Sequence, residues 1–170
     1  MRLARNPNNH RGLTLPELCV GLALLALIAG VSAPSFRAGQ RAAAVRAATF
    51  DLLAGLQQVR AGSILEARPG LFCVADAHGL CLGAARAGIA WQSFLENGAI
   101  REPQAGQRLP PGIEIRATRS PLRFWPDTFS ASTGTLTICD AQGLASPRAI
   151  VISQGGRARL DLPPRNACAA

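Results

Sequence analysis

From residue 18 to residue 33 this chain carries no charge, and residues 13–17 extend the apolar run to about the 20 residues a bilayer-spanning helix needs. Arg2, Arg5 and Arg11 precede the run with no acidic residue among them. The positive-inside bias therefore holds residues 1–12 in the cytoplasm and sends the rest of the chain outward. A secretory signal peptide would carry a small-residue cleavage site after its apolar region, whereas here a basic leader meets the run at Gly12. Glu17 is the anomaly. A carboxylate in hydrocarbon costs about 2.5–3.5 kcal/mol on insertion scales, so it is read as paired and functional, the alternative being a solvated group at headgroup level.

Beyond the apolar segment and its helical continuation about 110 residues remain, enough for one compact domain. All 18 basic residues are arginine, against 10 acidic ones. With the three leader arginines removed, fifteen against ten leaves +5, a balance that favours polyanionic partners.

Helical character continues past Pro34, where a missing backbone N–H predicts a bend or local unwinding. Val45, Thr49, Leu52, Leu53, Leu56 and Val59 recur at spacings of three and four, with polar residues between them, which predicts an amphipathic helix with one face on the domain. Gly62 and Ser63 read as its terminators, and Pro69-Gly70 as a turn. Short strands follow at 71–75, 80–82, 89–95, 113–117, 122–125, 135–139, 149–153 and 158–162, separated by turn sequences, and residues 103–112 read as a surface loop. The expected architecture is α+β, a long N-terminal helix packed on a C-terminal antiparallel sheet. Its segments are 1–12 as leader, 13–33 as transmembrane helix, 34–62 as stalk helix and 63–170 as head.

Several stretches carry a resemblance: Arg11-Gly12-Leu13-Thr14-Leu15-Pro16-Glu17-Leu18 with Pro34, the Cys73/Cys81 pair followed by Trp91, Thr135-Leu136-Thr137-Ile138-Cys139, and Ile150-Val151-Ile152-Ser153 followed by Gly156-Arg157-Ala158-Arg159. Together they resemble the GspH/FimT-like minor pilins and pseudopilins of the type IV pilin superfamily. The resemblance implies that prepilin peptidase cuts between Gly12 and Leu13 and that the new Leu13 amine is methylated, although the family's usual residue there is phenylalanine. It also implies that Glu17 pairs with such an amine during filament assembly. The partners implied are other pilins, the prepilin peptidase and the inner membrane, with the head in the periplasm.

Cys73, Cys81, Cys139 and Cys168 fall outside the cytoplasm in this topology, where disulfides persist. Of the three connectivities, Cys73–Cys81 across a turn and Cys139–Cys168 at the tail is the most economical. Cys73, His78 and Cys81 also approach zinc-ligand spacing, without an obvious fourth ligand. No nucleophile motif or phosphate-binding loop accompanies His78, so no enzyme, cofactor or metal site is expected.

The final strand concentrates the basic residues. Period-two alternation puts Arg157, Arg159 and Asp161 on one face and Ala158, Leu160 and Leu162 on the other, which is expected to turn inward. Two residues along a strand span about 6.6 Å, within reach of phosphates on one nucleic-acid backbone. Arg148 and Arg165 lie nearby in sequence. Gly156-Arg157-Ala158-Arg159 also resembles the DNA-binding element of FimT-like pilins that act in natural transformation. The implied function is a minor pilin that binds DNA through backbone contacts. The alternatives are a solvated strand face and a purely structural minor pilin or type II secretion pseudopilin.

Overall fold

The computed structural model describes residues 14–84, 86–127, 130–163 and 165–168, apart from the side chains of residues 29, 31–34, 165 and 166. The chain divides into two compact units, Met1–Phe36 and Arg37–Ala170. Helix α1 (Leu15–Leu65) supplies residues to both. In the first unit its apolar side chains, among them Leu18, Val20, Leu22, Leu25 and Ile28, are exposed. Among the described residues no helix is long and apolar enough to cross a membrane. The span expected at 13–33 includes residue 13 and side chains outside that description.

In the second unit α1 presents the face expected from its periodicity. Val45, Ala48, Leu52, Leu56 and Val59 are buried in the core, and Leu53 packs beside them. The helix does not stop at Gly62-Ser63 but runs to Leu65. Ser63 is buried, and the end is a Schellman turn: Arg68 N–H donates to Ser63 O (3.1 Å), Ala67 N–H to Ile64 O (3.4 Å), and Ala67 takes a left-handed φ of 52°.

Among the described residues ten strands follow, all paired antiparallel. They are β1 (Gly70–Ala75), β2 (Ala87–Gly88), β3 (Ala90–Asn97), β4 (Ile100–Arg108), β5 (Ile113–Ala117), β6 (Leu122–Trp125), β7 (Ser130–Ala131), β8 (Gly134–Asp140), β9 (Arg148–Ile152) and β10 (Ala158–Asp161). One sheet runs β4-β3-β1-β6-β7 and the other β10-β9-β8-β5-β2. Phe72, Val74, Trp91 and Phe124 of the first sheet and Ile113, Ile115, Leu136, Ile138, Ile150 and Ile152 of the second share one core with α1. This is the α+β arrangement expected, a long helix packed on antiparallel sheet.

Two expectations of where strands and loops lie also change. Much of the loop expected at 103–112 is strand, because the Asn97-Gly98 turn folds β4 back on β3 over eight residue pairs, with a bulge at Ser93/Phe94. Its polar composition reflects its place as an edge strand, exposed along most of its length. The strand expected at 80–82 is only a bridge from Ala75 to Cys81.

One charged residue of α1 fastens the turns at the end of the second sheet. Arg41 donates to Gln142 Oε1 (3.1 Å) and Pro111 O (2.6 Å), and its Nε lies 3.6 Å from Asp140 Oδ1. The fully buried Asp140 carboxylate also accepts the backbone N–H groups of Gln142, Leu144 and Ala145. Its charge is thereby paired and hydrogen-bonded, as burial demands.

Candidate nucleic-acid interface

The β9–β10 hairpin is built around the turn at residues 153–156. Gly156 N–H donates to Ser153 O (2.9 Å), and Ser153 N–H to Arg157 O (3.1 Å). Gly156 has φ +69°, and a Cβ there would meet Arg60 Nε at 3.1 Å and Ala131 Cβ at 3.5 Å. Glycine is thus needed both for its conformation and for the close approach of α1. Arg60 Nη2 donates to Gly155 O (3.1 Å), and Ala131 N–H to Gln154 O (2.7 Å), so helix and β7 both grip the turn.

The register then sets the faces. Ala158 lies opposite Ile152 and Leu160 opposite Ile150, on the core side, while Arg159 lies opposite Val151 and Asp161 opposite Ala149. Arg157, Arg159 and Asp161 therefore share the outer face and are all exposed. Leu160 and Leu162 do not bury as expected: they are 42% and 77% exposed. The side of the strand is as expected, but β10 is the sheet edge, with a neighbour on one side only, and just Ala158 reaches the core cluster.

Four arginines of the head are ion-paired: Arg41 with Asp140, Arg68 with Glu66 and Glu102, and Arg101 and Arg123 with Glu96. Among the described residues no ion pair reaches Arg157 or Arg159. The Asp161 carboxylate accepts the Leu162 N–H (2.8 Å) instead. Two unneutralised guanidinium groups, borne by residues about 6.6 Å apart along the backbone, can each bond phosphate oxygens bidentately.

Arg148 does not join this face. It lies opposite Ile138, on the side of Ile150 and Ile152, at the far end of β9. Arg165 opens a short 3-10 helix (Arg165–Cys168), but its side chain lies outside the described residues. Gly12 and Leu13 are outside them too, as is the side chain of Pro34, which falls within α1.

Glu17 closes the start of α1. Its Oε2 accepts the Thr14 N–H (3.3 Å) and hydroxyl (3.1 Å), as the third residue of the helix reaching back to its cap. The Thr14-Leu15-Pro16-Glu17 spacing carried that signal. Arg60 gave none, since its partner is 95 residues away.

Both expected cysteine pairs are bonded. Cys73–Cys81 closes the Asp76 turn, and Cys139–Cys168, 29 residues apart, ties the 3-10 helix to β8. The Cys73 and Cys81 thiols are thereby withdrawn from metal binding. Asp76 Oδ1 accepts the N–H groups of Leu80 (2.9 Å) and His78 (2.8 Å). The Leu80 bond, aided by that of His78 and opposed by desolvation, holds its carboxyl below the usual carboxylate range. This turn walls a groove of about 550 Å³ over β3 and β4, with Gln92, Gln107 and Arg108, whose lining holds no hydroxyl or thiol nucleophile.

The sequence model of the family described as "Type II transport protein GspH" matches residues 48–156. No curated protein matches the chain. Among solved structures, the type IV minor pilin FimU of Pseudomonas aeruginosa superposes with a TM-score of 0.51 at 20% identity, covering 68% of this chain and 91% of its own. The minor pseudopilin EpsH of the Vibrio cholerae Type 2 Secretion System superposes with 0.53 at 12% identity, covering 70% and 97%. At such identities the likeness is one of fold.

Proposed function

Because this chain belongs to the GspH family, we propose that it is a minor subunit of a type IV pilus whose C-terminal hairpin binds DNA and assists its uptake in natural transformation. Prepilin peptidase cuts between Gly12 and Leu13, the Leu13 amine is methylated, and residues 13–33 anchor the subunit in the inner membrane until it enters the filament. Glu17, which caps the helix start, pairs there with the amine of a neighbouring pilin. Mass spectrometry of membrane-extracted protein checks the first step: a mature N-terminus at Leu13 is expected, and an intact leader in cells with active peptidase would refute it.

The observation that carries DNA binding is the exposed Arg157/Arg159 face, unneutralised among the described residues and held in register by Gly156 and Arg60. Contacts of this kind read the backbone and not the bases, so binding is weak, sequence-tolerant and salt-dependent. The full-length chain in non-ionic detergent is titrated with short nucleic acids at two salt concentrations. In Arg157→Gln/Arg159→Gln, affinity for unrelated sequences falls alike and the log–log salt slope flattens by up to about two. Binding by the double variant equal to that of the parent rules this face out.

A second reading, a purely structural minor pilin or type II secretion pseudopilin, is favoured by the exposed Leu160 on the same edge strand and Leu162 just beyond it. An edge with apolar side chains is a template for a neighbouring subunit.

A further inference from the structure

A third arginine lies against the turn that precedes Arg157. Arg60, which grips Gly155 and packs against Gly156, also lines a crevice with Ser63, Ile64, Phe124, Trp125 and Ser130. The β6–β7 pair that carries Trp125 reaches the hairpin turn directly through the Ala131 N–H bond to Gln154 O. Trp125 leaves 38% of its surface exposed, whereas Trp91 is 4% exposed and stacked on Phe72. Tertiary structure thus sets Arg60 and an accessible indole in one crevice beside the turn that leads into Arg157 and Arg159. Among the described residues none of these arginines is ion-paired.

Resting on the DNA-binding reading above, we infer that the ligand of this surface is single-stranded nucleic acid. Arg159 and Arg157 hold phosphates of one strand. Arg60 spends Nη2 on Gly155 O and offers its remaining donors to a further phosphate. Trp125 stacks an unpaired base. A duplex buries its base faces in its own stack and can use only the arginines, whereas a single strand can use the indole as well. Because every base has a π-face, the added contact brings strand selectivity without sequence selectivity.

The test uses the full-length chain in non-ionic detergent, an oligothymidylate, and a blunt hairpin duplex with the same number of phosphates. Anisotropy of the labelled nucleic acids gives affinity, and intrinsic tryptophan emission reports stacking. The single strand is expected to bind more tightly than the duplex and to quench the emission, Trp91 being shielded. Trp125→Ala weakens single-strand binding by about 5- to 100-fold, abolishes the quench and leaves duplex binding unchanged. Trp125→Phe, which keeps an aromatic face, retains most of the single-strand preference. Arg60→Met lowers the single-strand salt slope by about 0.7. Equal binding of both ligands by the parent, with no quench and no effect of Trp125→Ala, overturns this inference and leaves the DNA-binding reading intact. Binding of neither ligand at low salt overturns both.

Discussion

At Gly55 α1 packs directly against Trp91 of the first sheet, and replacing it by alanine should destabilise the head even though alanine is the better helix former. A Cβ there would stand 2.4 Å from Trp91 Cη2 and 2.5 Å from Cζ3. Carbon atoms pack at about 3.5–4.0 Å, so the indole must move by about 1 Å or the helix must lift. The ring has little room to yield: Trp91 is buried and stacked on the fully buried Phe72, with centroids 5.3 Å apart. Overpacking of this kind costs about 1–3 kcal/mol, and the helix-propensity gain of alanine over glycine returns about 0.8–1.0. The net expectation is a loss of up to about 2 kcal/mol. Gly39 lies on the same helix with nothing within 4 Å of its Cβ position, so Gly39→Ala should stabilise by up to about 1 kcal/mol. Urea unfolding of the full-length chain in detergent measures both. In a Trp91→Leu background, which deletes the obstructing ring atoms, Gly55→Ala should cease to be destabilising, and the double-mutant cycle gives the coupling. If Gly55→Ala is as stable as the parent and uncoupled from Trp91, the close approach is not what excludes a side chain there.

Ala67 holds a left-handed conformation that costs a non-glycine residue about 1–2 kcal/mol, so Ala67→Gly should raise the urea midpoint by the equivalent of up to about 1 kcal/mol after glycine's unfolded-state entropy is counted. A loop of 29 residues closed by Cys139–Cys168 restricts the unfolded chain by about 3–4 kcal/mol, and Cys168→Ser should lower the melting temperature accordingly under non-reducing conditions, while the parent in reductant should fall at least as far. The carboxyls of Asp76, through the Leu80 N–H, and of Glu102, through Arg68, sit below their ordinary range. Folding therefore favours their charged forms, and the stability they contribute is full above the ordinary carboxylate pKa of about 4 and is lost as pH falls through their lower folded values. Denaturation midpoints from pH 6 down to about two units below the ordinary carboxylate pKa should show a shallower acid decline in Asp76→Asn/Glu102→Gln than in the parent; an identical slope would remove these groups from the linkage.

What could be read from the sequence was whatever repeats locally. The spacing of Val45, Leu52, Leu56 and Val59 named the buried face of α1, because a helix returns to the same side every 3.6 residues. Alternation placed Arg157 and Arg159 together, and the turn sequences located most strands and made the pairing of Cys73 with Cys81 the economical one. What only the tertiary structure decided depends on which distant segments meet. The helix ran past Gly62-Ser63 because Ser63 is buried in the head, and residues 100–108 became strand because β3 offered a free edge. Leu160 stayed exposed because no strand follows β10 in its sheet, which alternation alone cannot reveal. Arg41 reached Gln142 across 101 residues and Arg60 reached Gly155 across 95, and Arg60 also shares a crevice with Trp125. Local periodicity determines the side to which a residue points; only chain packing determines what waits on that side.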